Sequence, residues 1–129
     1  MNQADSLGKL VLRVVLGLLV LLHGISKLTG GVGFVAQMVQ AAGLPAFFAY
    51  GVYIGEVLAP LMLITGFYAR IGAAIIAINM LVAIALVHTG ELLALNATGG
   101  WALELQGMFL FSAIAVMLMG PGRFAINAK

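Results

Sequence analysis

The stretch LPAFFAYGVYIGEVLAPLMLITGF, Leu44 to Phe67, decides the fold: it is apolar throughout and carries a single charged residue, Glu56. A run of this length exceeds the ~20 apolar residues that a helix needs to cross a bilayer. Three more windows read the same way, so the spans are expected at about Leu7–Leu28, Pro45–Gly66, Arg70–His88 and Trp101–Met119. They use most of the chain. Hydrophobic residues make up 64% and charged residues 8% of its 129 residues, too apolar a balance for a soluble globule. Alternation at period two is missing, which disfavours a transmembrane barrel and leaves helices. The expected fold is therefore all-α: a polytopic membrane protein built as a bundle of four transmembrane helices, with residues 1–129 forming one domain.

Between the first two spans, Gly30-Gly31-Val32-Gly33 breaks the chain, and Phe34 to Ala42 can form a short helix lying in the interface. Gly43-Leu44-Pro45 stops it and starts the second span, where proline is tolerated in the first turn. Lys9, Arg13, Arg70, Arg123 and Lys129 fall on the side shared by both termini, so both termini are expected in the cytoplasm. Tyr50, Tyr53 and Trp101 suit an outer aromatic belt. Small residues such as Gly17, Gly24, Gly51, Gly55 and Gly72 let helices approach closely, within the bundle or across a homodimer face.

A carboxylate in hydrocarbon is costly, so the partner of Glu56 is the central question. Depth counted along the spans puts Glu56 and Asn79 near the midplane and Arg13 a few residues away, which predicts an Arg13–Glu56 pair. His23, Lys27, His88 and Glu104 gather toward the outer ends, with Lys27–Glu104 as a second expected pair. Each has a plainer reading: Arg13 snorkelling to headgroups or clasping Glu56 structurally, Lys27 anchoring at the interface, Asn79 bonding between helices. The histidines could shuttle protons, but one pair is a weak signal for haem, and no metal site is expected. Cysteine is absent, which removes thiol chemistry, and no triad, phosphate loop or nucleic-acid stripe is recognisable. A self-contained catalytic motif is missing, so whether the chain is an enzyme stays open.

Several short motifs in order, Arg13-Val14-Val15-Leu16-Gly17, His23-Gly24 with Lys27, Gly43-Leu44-Pro45, Gly55-Glu56 with Pro60, Gly66-Phe67-Tyr68-Ala69-Arg70, His88, and Gly120-Pro121-Gly122-Arg123-Phe124, resemble the DoxX family of small four-helix membrane proteins. The resemblance covers nearly the whole chain. It departs in the tail, where the family usually continues with Ser and Asp and this chain has Ala125 and Asn127. The resemblance implies a bacterial inner-membrane protein, with some relatives tied to thiosulfate:quinone oxidoreductase and others to oxidative-stress or thiol homeostasis. It implies Arg13, His23, Lys27, Glu56, Arg70 and His88 as the polar positions.

Two functions compete. One is a membrane subunit of a redox system that binds a quinone or similar apolar molecule, with Arg13, His23, Lys27, Glu56, Asn79, His88 and Glu104 supplying ligand contacts or a proton path and a partner oxidoreductase doing the chemistry. The other is a non-catalytic scaffold, or a binder or carrier of a lipid-like molecule. Membrane lipids and a homo-oligomer are further expected partners, and nucleic acid is not.

Overall fold

The computed structural model describes residues 2–87, 95 and 99–127. Five helical segments follow one another: α1 (Gln3–Gly30), α2 (Gly33–Ala41), α3 (Ala46–Thr65), α4 (Ala69–Val87) and α5 (Glu104–Met119). The long apolar runs become helices because a backbone in hydrocarbon must satisfy its own hydrogen bonds. Three of them, α1, α3 and α4, are long and apolar enough to cross a membrane. The fourth expected span is shorter than read, since α5 starts at Glu104 rather than Trp101. Gly99 and Gly100 precede a turn in which the Glu104 amide bonds the Trp101 carbonyl, and Trp101 pairs with Leu95 in an isolated bridge.

The bundle is a ring. α1 packs on α3, α3 on α4, α4 on α5, and α5 returns to α1. α1 and α3 run antiparallel: Arg13 meets Leu63, Gly17 lies against Pro60 and Ile64, and Gly24 lies against Glu56. Their shared core holds Leu16, Val20, Ala59, Leu63, Ala73, Ile76, Phe109, Ala113 and Val116. A separate cluster, Val32, Val39, Ala49 and Val52, seats α2 on the start of α3.

Gly24 lets α1 lie close against α3, because a β-carbon there would collide with the Glu56 carbonyl. Gly17, Gly24, Gly55 and Gly72 lie against neighbouring helices of the bundle, whereas Gly51 faces open space.

Helix α3 is not regular. It begins as a 3-10 turn over Ala46–Tyr50 and widens into a π turn at Ile54–Leu58, where the Ala59 amide reaches back to the Ile54 carbonyl. Pro60 is the cause: it has no amide hydrogen for the Glu56 carbonyl, and its ring crowds that position. The helix closes at Gly66, in the left-handed conformation (φ 76°), whose amide and that of Phe67 return to Met62 and Leu63. Over this end lies the tail, with Ile126 and Asn127 donating to the Thr65 and Gly66 carbonyls and Asn127 Oδ1 accepting from the Tyr68 amide.

Candidate functional site

Glu56 projects from the π turn and is 5% exposed, but its partner is not Arg13. Lys27 Nζ donates to Glu56 Oε1 at 2.6 Å, and Asn79 Nδ2 donates to Oε2 at 3.0 Å. Three helices thus meet at one carboxylate. The predicted Arg13–Glu56 pair fails on register: Arg13 sits level with Leu63 and Gly66, and Gly66 is ten residues beyond Glu56, about 15 Å along a helix. Side-chain direction completes the explanation, since Cα–Cβ bonds tilt toward a helix's own N-terminus. In antiparallel α1 and α3, Lys27 therefore leans toward the start of α1 and Glu56 toward the start of α3, toward each other, while Arg13 leans away. The expected Lys27–Glu104 pair does not form either: the Lys27 ammonium bonds Glu56 instead.

Arg13 instead donates to the Leu63 carbonyl at 3.0 Å and to the Phe124 carbonyl. It is fully buried, and it neutralises the negative end of α3 while pinning the tail across it. Arg70 plays a weaker version of this part at the end of α5, donating to the Met117 carbonyl at 3.3 Å. Asn127, one of the two tail departures, supplies the polar contact to Tyr68.

The Lys27–Glu56–Asn79 cluster lines part of a cavity of about 670 Å³. Its walls are mostly apolar, from Phe34, Val35 and Met38 on α2 through Phe48 and Ile75 to Phe109, with His23, Lys27, Glu56, Asn79 and Gln106 as the polar members. His23 stands edge-on to Phe109 with ring centroids 5.6 Å apart. Apolar walls with a few convergent polar groups are the usual make-up of a small-molecule site. Gly55 makes room for Asn79, whose amide would meet any β-carbon placed there.

Of the residues predicted from sequence, His23, Lys27, Glu56 and Asn79 come together here. Arg13 lies at the other end of α3, Glu104 is not on the cavity wall, and His88 lies outside the described residues. Sequence reasoning missed Tyr53 as part of the site; its hydroxyl donates to the Lys27 carbonyl at 3.1 Å and ties α1 to α3 beside the ion pair. It also missed the π turn, which a proline four residues after a buried glutamate signals. Among the described residues no group of three or more His, Cys, Asp or Glu could hold a metal ion.

The DoxX family model matches residues 8–89. A curated Bacillus subtilis (strain 168) protein named "Putative oxidoreductase CatD" is 29% identical over 127 residues, covering 98% of this chain and 90% of its own length. No solved structure matches the chain.

Proposed function

The chain belongs to the DoxX family, and from that premise we propose that it is an inner-membrane subunit of a redox system whose bundle holds a quinone or similar apolar small molecule for a partner oxidoreductase. In this reading the chain crosses the membrane four times, with both termini in the cytoplasm. The cavity of about 670 Å³ lined in part by Lys27, Glu56 and Asn79 carries the reading, because it offers a polar anchor within an apolar chamber. The name of the Bacillus subtilis relative adds an oxidoreductase association for that protein. His23 and Gln106 on the wall would give the ligand further polar contacts.

Copurification from native membranes, followed by mass spectrometry of retained small molecules and proteins, tests this directly. A quinone together with a dehydrogenase subunit is the expected result. Empty protein that leaves added ubiquinone-1 unbound sinks it.

A second reading, a scaffold or lipid-like binder without a redox partner, draws on a different observation. Both Glu56 oxygens are already satisfied by Lys27 and Asn79, as a clasp holding three helices would require. A retained lipid with no associated oxidoreductase favours it.

A further inference from the structure

Resting on the cavity reading and deepening it, we propose that Glu56 is a specificity residue: by neutralising Lys27 it makes the cavity accept uncharged molecules bearing a hydrogen-bond acceptor and reject anionic amphiphiles such as fatty acids. A lone lysine in an apolar chamber would draw negative headgroups, which every biological membrane supplies, because charges attract strongly where water is scarce. Glu56 answers that charge at 2.6 Å, and Asn79 grips its second oxygen at 3.0 Å, so an incoming anion cannot easily displace the carboxylate.

The charge count then decides what fits. Lys27 and Glu56 cancel. A bound carboxylate would leave one uncompensated negative charge in apolar surroundings, at a large desolvation cost. A neutral carbonyl adds none. An ammonium has three donors, one of Lys27's goes to Glu56, and 26% of the Lys27 side chain stays accessible. A carbonyl oxygen can accept from that side without breaking the pair, while the apolar body of the ligand lies against Ile75 and Phe109.

The test pairs two probes of equal chain length, methyl palmitate (neutral, with a carbonyl acceptor) and hexadecanesulfonate (a permanent anion). They compete at equal mole fraction in nanodiscs of phosphatidylcholine, and native mass spectrometry reads occupancy. The wild-type chain is expected to favour methyl palmitate by about tenfold, and Glu56→Gln to reverse the preference by a similar factor as the Lys27 charge is released. The double variant Lys27→Met/Glu56→Gln is expected to lose the sulfonate gain. Sulfonate binding the wild-type chain as well as the ester does overturns the specificity while leaving the cavity reading standing; this comparison needs no variant to fold. A folded Glu56→Gln with no gain in sulfonate overturns it too. Neither probe binding any form removes the cavity reading and this one with it.

Discussion

Lys27 Nζ lies 2.6 Å from Glu56 Oε1, joining α1 to the π turn of α3. Both residues line a mostly apolar cavity, and with Glu56 5% exposed its carboxylate depends on Lys27 more than on water. Lys27→Met is expected to destabilise the fold by about 2–3 kcal/mol, below the figure for a fully enclosed pair because Lys27 keeps some access. Lys27→Met/Glu56→Gln should recover most of that loss. Unfolding in mixed micelles measures both, and a double variant no more stable than Lys27→Met would show that the pair is not the origin of the cost.

Two glycines of α1 make opposite predictions. Gly24→Ala puts a methyl group into the Glu56 carbonyl, pushing α1 from α3 at a cost of about 1–3 kcal/mol and displacing the ion pair. Gly8 has nothing within 4 Å of an added β-carbon, so Gly8→Ala should stabilise the helix by about 0.5–1 kcal/mol. Melting temperatures of the two variants moving in the same direction would contradict this placement of α1.

Arg13 holds two carbonyls at the far end of α3, one from Leu63 and one from Phe124. Arg13→Met leaves the Phe124 carbonyl without its guanidinium donor, at a cost of about 1–3 kcal/mol where no water replaces it, while the Leu63 carbonyl keeps the Gly66 amide. Arg13→Lys should rescue little, because an ammonium lacks the planar fork that reaches both. Limited carboxypeptidase digestion is the readout: the tail after Gly120 is expected to be cut faster in both variants. Ligand occupancy should stay unchanged, since Arg13 is about 15 Å from the cluster along the helix. Altered occupancy with an intact tail would instead return Arg13 to the ligand path.

Composition was legible in this chain; register was not. The apolar runs around Val20, Leu63 and Ile76 were legible because hydrocarbon leaves a backbone almost no choice but helix. Glu56, Lys27, His23 and Asn79 were legible as the polar residues of those runs. Their pairing was not. Counting residues locates a Cα, whereas an ion pair forms between side-chain ends that lean toward each helix's N-terminus, and antiparallel packing turned that lean into the Lys27–Glu56 contact. The cavity was hidden for another reason: it depends on how α2 and Phe48 rest over α4 and Phe109, and no local pattern encodes that meeting.

Pro60 fixes the direction in which Glu56 points, and removing it isolates that effect from charge. With proline in place, the Glu56 carbonyl has no helical donor, Gly24 packs against it, and the widened turn at Ile54–Leu58 aims the carboxylate at Lys27 and Asn79. Pro60→Ala restores an amide at that position and permits a regular helix. Losing the extra residue of a π turn rotates the preceding segment by about 100°, one residue's share of an α-helical turn, which takes Glu56 away from Lys27. The expected result is ligand occupancy reduced by about tenfold, with the relief of removing a helix-interior proline offset by the loss of the Lys27–Glu56 contact. Hydrogen exchange at the new amide reports whether the helix has regularised. A protected amide with full ligand occupancy would show that the π turn does not serve the site.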